Sequence, residues 1–242
     1  MNLLACEKLV FGYAGSRQGQ GLVRPFDFCL AGGEVVALLG ENGCGKSTFL
    51  KTLNGLIPPV SGVVRLCGRT RWSPRERARM VALVRMGRMD GAFFDRMTVR
   101  EFVGLGRTPY AGVFDGHGEE DERVVDESLE LLNLGGFAGR WMSELSDGEC
   151  SRVYLSMALA QQVKVLLLDE PNAFLDIPRS RMLFAMLQKL SMDFGMGILV
   201  STHSVEYAER YCDRIMEIAN GIVRVERTGD ARARGMLKWT GE

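Results

Sequence analysis

Short apolar runs punctuate this chain at wide intervals. Val35-Val36-Ala37-Leu38-Leu39, Val81-Ala82-Leu83-Val84, Val165-Leu166-Leu167-Leu168 and Gly197-Ile198-Leu199-Val200-Ser201 are each too short for a helix. They are continuous rather than alternating, as in parallel strands buried on both faces. Lys8–Phe11, Phe26–Leu30 and Val63–Leu66 are further strand-like stretches, set among Gly and Pro turn signals. Between the runs the pattern turns helical. Arg75–Met80, Arg152–Gln162, Arg181–Leu190 and the segment through Tyr207 and Tyr211 have this character. So does Glu119–Leu134, where Val124, Val125, Leu129 and Leu132 mark one face and an acid cluster sits at the favourable N-terminal end. Strands alternating with helices predict an α/β fold with a mostly parallel sheet.

Composition narrows the function classes. The 242 residues are 46% apolar and 25% charged, enough apolar material for a sizeable core. Thirty acidic and thirty basic residues cancel, which argues against a dedicated nucleic-acid binder. The local basic run Arg69, Arg71, Arg75, Arg77 and Arg79 is interrupted by Glu76 and reads as a solvated helix face. Six scattered cysteines form no C-x-x-C pair and suit a reducing cytosol. No apolar run is long enough to span a membrane. Met1–Cys6 has neither a basic leader nor an apolar core segment ahead of Cys6, so it reads as the start of a first strand. The expected location is the cytosol.

The apolar run at 35–39 leads into Gly40-Glu41-Asn42-Gly43-Cys44-Gly45-Lys46-Ser47-Thr48, and Phe49–Leu53 is helix-like. Strand, glycine loop and helix together make a phosphate-binding loop. Glycines allow backbone N–H groups to close around phosphate oxygens, and the helix dipole points at the same anion. Lys46 reaches the β- and γ-phosphates, and the Ser47 hydroxyl is suited to Mg²⁺. The expected ligands are therefore a nucleoside triphosphate and Mg²⁺. Cys44 sits inside this loop, where the helix N-terminus would lower its pKa.

The run at 165–168 ends in Asp169-Glu170. A carboxylate at the end of a buried strand belongs beside the Mg²⁺ of a nucleotide held on a phosphate loop, and its neighbour can polarise an attacking water. Two further elements complete the pattern: Leu145-Ser146-Asp147-Gly148-Glu149, ahead of the helix at 152–162, and His203, just after the strand at 198–200.

In this order the four elements resemble the ATPase subunit of ABC transporters, over about residues 3–225. The resemblance implies a P-loop NTPase (RecA-like) fold. Its mostly parallel core would carry an N-terminal antiparallel β part and an α-helical lobe inserted at about 85–162. Residues 1–225 would form one domain, and 226–242 a polar tail. It also implies roles. Tyr13 would stack on adenine, Asp169 would associate with Mg²⁺, Glu170 would be the catalytic base, and His203 would contact the γ-phosphate. Asn172–Asp176 would cross a dimer interface, with Asp176 as its acid. Ser146, Gly148 and Glu149 would form the signature loop that closes on ATP held by a second ATPase subunit. The implied assembly is a homodimer or a pair of ATPase subunits, with polytopic permease subunits and an extracytoplasmic binding protein. It would lie on the inner face of the cell membrane.

The chain departs from the family pattern at three positions. Asp147 stands where Gly is usual and Glu149 where Gln is usual. Met86 occupies the place of a Gln that touches Mg²⁺ and the attacking water, and its soft sulfur is a poor substitute for hard oxygen. An ATP-binding switch with little hydrolysis is the alternative this raises. Thr98–Tyr110, Ala158–Gln161 and Tyr211–Asp213 look like importer ATPases for iron–siderophore, haem or cobalamin.

Overall fold

The computed structural model describes residues 1–12, 21–85, 94, 96–112, 118–173 and 175–233. Two sheets organise them. The first is antiparallel, with β1 (Asn2–Val10) between β2 (Phe26–Ala31) and β4 (Ser61–Leu66). The second has six strands: β3 (Val35–Gly40), β5 (Val81–Arg85), β6 (Val165–Asp169), β7 (Gly197–Ser201), β8 (Arg214–Ala219) and β9 (Ile222–Arg227). Their order across the sheet is β5-β6-β7-β3-β8-β9. Every pair is parallel except β8 with β9. The sequence reading passed over β8 and β9. They form a hairpin whose two turn residues, Asn220 and Gly221, both have positive φ, at 49° and 71°. That is the Asn-Gly turn that suits a tight hairpin.

Every residue of β3, β6 and β7 is buried, as expected of strands covered on both faces. One face packs on the antiparallel sheet and on α1 (Lys46–Asn54) through Phe11, Phe28, Phe49, Leu50 and Leu199. The other face packs under the helices that follow β5 and those that flank β7. Between β5 and β6 lie α3 (Val99–Gly104), α4 (Glu119–Leu131) and α5 (Asp147–Ala160), preceded by the short α2 (Pro74–Ala78) on the far side of β5. After β6 come α6 (Ile177–Phe194), α7 (Val205–Tyr211) and, beyond β9, α8 (Thr228–Ala233), whose Ala231 is fully buried.

An arginine clasp joins α2 to the turn after α3. Arg75 donates to the carbonyls of Pro109 (2.8 Å), Tyr110 (3.1 Å) and Ala111 (2.5 Å), and Arg79 also donates to Pro109 (3.0 Å). The Tyr110 ring lies under two guanidiniums, Arg107 at 3.8 Å and Arg79 at 4.6 Å. Arg107 is itself 4% exposed and paired with Asp121 at 2.8 Å, so its charge is compensated where it is buried. The basic run therefore does structural work in part, where the sequence suggested only a solvated face.

Candidate active site

β3 delivers the chain to the phosphate loop, and α1 begins at Lys46 with Gly45 as its N-cap. Gly45 has φ 109°, and a Cβ there would lie 3.0 Å from both Leu22 Cδ1 and Phe11 Cε2. The loop needs glycine at this point for its conformation and for the room. Below it, Phe11 and Phe26 pack on Phe49 with ring centroids 5.0 and 5.7 Å away, which fixes the first turn of α1 to the antiparallel sheet.

No side chain caps α1 and no acid lies in its first turn, so no carboxylate opposes the positive end of the helix dipole. Lys46 is 5% exposed, and its ammonium donates to the Gly40 carbonyl at 2.8 Å and the Glu41 carbonyl at 3.2 Å. Those bonds hold it over the loop, 3.7 Å from Glu170 Oε1. Asn42, Gly43, Gly45, Lys46, Ser47, Thr48, Asp169 and Glu170 line one cleft of about 510 Å³, with Leu22, Arg85 and Ala173 completing it.

Asp169 ends β6 and Glu170 follows it, one strand removed from β3 across β7. Ser201, at the end of β7, ties them together. Its hydroxyl donates to Asp169 Oδ1 at 3.0 Å and accepts from the Glu170 backbone N–H at 2.8 Å. Glu170 has φ 50°, a left-handed conformation that turns its carboxylate away from the strand line. Its Oε1 lies 2.8 Å from His203 Nε2. Lys46 Nζ is also 3.4 Å from that nitrogen. One ring nitrogen cannot donate to the carboxylate and accept from the ammonium at once. The shorter contact is the hydrogen bond, with the Nε2 proton directed at Glu170. Thr202 and Asn172 brace the approach: Thr202 Oγ1 donates to Asn172 Oδ1 (3.1 Å) and accepts from Ser204 N–H (3.1 Å).

The donor set suits a magnesium ion. Ser47 and Asp169 offer hard oxygens in the same cleft, and Mg²⁺ needs only one or two protein ligands besides water and phosphate. Among the described residues no group of three or more His, Cys, Asp or Glu side chains is placed to hold a metal ion.

The signature segment lies elsewhere. Ser146, Gly148 and Glu149 line a second cleft of about 310 Å³, with Arg152, Leu175 and Arg179, and the two clefts share no lining residue. Ser146 caps α5, and Glu149 completes a capping box. Glu149 Oε2 accepts from the Ser146 N–H at 2.8 Å and from its hydroxyl at 2.7 Å. These bonds, from the backbone first, hold the Glu149 carboxyl below its ordinary range. Glu149 is thus turned back on its own helix. Asp176 plays the same part for α6, accepting from the Arg179 N–H at 2.9 Å. The Arg179 side chain in turn lies against Gly148, where a Cβ would meet its Cδ at 2.9 Å.

Tyr13, Met86 and Phe174 lie outside the described residues. Cys44 departs from expectation: burial raises its thiol pKa, and the nearby Lys46 only offsets this in part. Sequence reasoning missed Ser201 and Arg85. A Ser-Thr-His run closing a buried strand was the available signal for the first, and a lone arginine at the end of β5 for the second.

A family model described as ABC transporter matches residues 23–173, more than half of the chain. An uncharacterized ABC transporter ATP-binding protein of Bacillus subtilis, YvrA, is 37% identical over 90% of this chain and 48% of its own length. The chain therefore spans about half of that relative. The iron(3+)-hydroxamate import ATP-binding protein of Bacillus subtilis is 33% identical, over 94% of this chain and 83% of its own. The solved structure of an ATP-binding subunit of an ABC transporter superposes with a TM-score of 0.77 at 28% identity, covering 98% of this chain and 95% of that one.

Proposed function

This chain belongs to the ABC transporter family, and we propose that it is the ATP-hydrolysing subunit of an importer. One observation carries the reading: the phosphate loop with Lys46 and Ser47, the strand-end pair Asp169 and Glu170, and His203 on Glu170 converge on a single cleft. Lys46 and the open end of α1 bind and orient the phosphates. Mg²⁺, when bound through Ser47 and Asp169, supplies charge neutralisation on the β- and γ-phosphate oxygens. Glu170, aimed by its left-handed backbone and by His203, accepts the proton of a water that attacks the terminal phosphorus. The new bond forms from water to phosphorus as the bridging bond to the β-phosphate breaks, giving ADP and phosphate. His203 holds the Glu170 carboxylate in place and lies close enough to follow the terminal phosphate.

Two chains, or this chain and a paired ATPase subunit, would complete each site. The signature cleft is separate from the phosphate cleft within one chain, so a partner's Ser146 and Gly148 are needed to close over ATP. Permease subunits would dock in the groove of about 820 Å³ between the sheet and the helices after β5, lined by Leu56, Trp72, Arg77, Val81, Met157 and Gln161. Among the described residues no helix is long and apolar enough to cross a membrane, which suits a subunit held on the cytoplasmic face of the cell membrane by its permease. The cargo we assign is an iron chelate such as a siderophore, or haem, cobalamin or a metal ion. The relative named for iron(3+)-hydroxamate import supports that choice. An extracytoplasmic binding protein would deliver it.

The test is turnover of MgATP by the chain with and without its permease. Hydrolysis that disappears in Glu170→Gln, while ATP still binds, is the expected result. ATP bound but never hydrolysed in either setting would overturn the motor assignment.

A further inference from the structure

β5 ends at Arg85, and the parallel register sets it beside Asp169 at the end of β6. The Arg85 side chain is exposed and lines the same cleft as Lys46, Ser47, Asp169 and Glu170. No hydrogen bond or ion pair among the described residues engages its guanidinium. Neighbouring arginines differ: Arg75 and Arg79 hold the Pro109 carbonyl, Arg77 that of Leu53, and Arg107 that of Ala160 with the Asp121 carboxylate. The ionic side chains lining the cleft are Lys46, Arg85, Asp169 and Glu170, whose charges cancel. Without Arg85 the empty cleft would be net negative, a poor host for a polyanion. The next residue, Met86, brings no hydrogen-bond donor.

Position decides which phosphate is concerned. The sheet order places β5 three strands from β3, or about 14 Å at roughly 4.8 Å per strand. The loop after β3 cradles the inner phosphates, so the group that extends toward the ends of β5 and β6 is the terminal one. A planar fork of N–H donors is matched to phosphate oxygens.

We propose that Arg85 binds the terminal phosphate and makes this cleft discriminate nucleoside triphosphate from diphosphate. The proposal rests on the ATP-binding reading above. It adds a cation from the chain's own β5, lining the same cleft as Lys46, that shares the neutralisation otherwise left to the divalent metal.

The test is calorimetric binding of ATP and ADP, with Mg²⁺ and with EDTA, on a Glu170→Gln background that keeps ATP intact. Arg85→Gln is expected to weaken ATP binding about 10-fold or more, in line with loss of a charge-assisted contact. ADP binding is expected to stay within about twofold, and the ATP loss to be larger in EDTA. Arg85→Lys should recover part of it, as a point charge without the fork. Arg85→Met provides a second truncation, and whichever variant keeps the parental melting temperature decides the matter. Unchanged ATP affinity, or equal loss for ATP and ADP, would overturn the proposal. A parent chain that binds neither nucleotide would overturn the ATP-binding reading itself, and this inference with it.

Discussion

Two helix N-termini that the proposed function would bring to the same phosphates are prepared in opposite ways. α1 starts from Gly45 with no side-chain cap and no acid in its first turn. α5 starts from Ser146 with a closed capping box, and Asp147 and Glu149 both lie in its first turn. The first end is an open anion site already furnished with Lys46. The second has bonded the Ser146 and Glu149 N–H groups within its own capping box and carries two carboxylates. A phosphate approaching α5 meets the negative charge of Asp147 and Glu149, which lowers the affinity of that end on its own. It becomes useful only when a nucleotide is presented on another surface. The difference fits the proposed roles, binding at one end and conditional closure at the other.

The comparison breaks most visibly at Lys46. Lys46→Ala should lower ATP affinity by about 100-fold, read by fluorescent-nucleotide titration, because it removes the buried cation that the Gly40 and Glu41 carbonyls hold over the loop. Retained affinity would mean that the helix end alone suffices. Gly45→Ala should come next. Its positive φ and the contacts a Cβ would make with Phe11 and Leu22 predict about 1–3 kcal/mol of lost stability in denaturant melts, with weaker ATP binding. Wild-type stability there would show that the loop can relax.

Glu149→Gln sharpens the other side and should have the smallest effect on stability, within about 1 kcal/mol, since glutamine can also close a capping box. ATP-dependent dimerisation of a non-hydrolysing chain should rise when this carboxylate is neutralised, as sedimentation would show. The Glu149 carboxyl titrates below its ordinary value of 4.5 in the folded chain. Its stabilising contribution is complete above that value and is lost as pH falls through the folded pKa. The stability gap between wild type and Glu149→Gln should therefore be constant near neutrality and shift only in acid. A gap that moved between pH 6 and 8 would argue against the capping role.

The strands at the centre of the large sheet were legible because burial on both faces leaves an uninterrupted apolar run, as at Leu166–Leu168. The phosphate loop was legible because its chemistry is local in sequence. The start of α5 was not. Asp147-Gly148-Glu149-Cys150 carries no apolar periodicity, so the reading began the helix at Arg152, although Ser146 and Glu149 have the spacing of a capping box. α6 was read as 181–190 and runs from Ile177 to Phe194. Pro178 in its first turn and Gly195 beyond its end were the missed limits. The Asn220-Gly221 hairpin was likewise written in the sequence and overlooked. Ser201 belongs to a different class. Its role depends on β6 and β7 lying side by side, which no local pattern states. The reversed sign at Cys44 has the same origin, since the burial that decides it comes from distant residues.

The arginine clasp has a consequence for how this chain can vary over generations. Arg75 and Arg79 grip backbone carbonyls of Pro109, Tyr110 and Ala111, and a carbonyl is present whatever residue supplies it. Drift at 109 and 111 should pass with little effect, whereas Arg75, Arg79 and the doubly stacked Tyr110 should tolerate almost none. One side of the joint is fixed by side chains and inherits strictly. The other is fixed by backbone and is free to diverge, so the surface of that turn can be rewritten without loosening the joint.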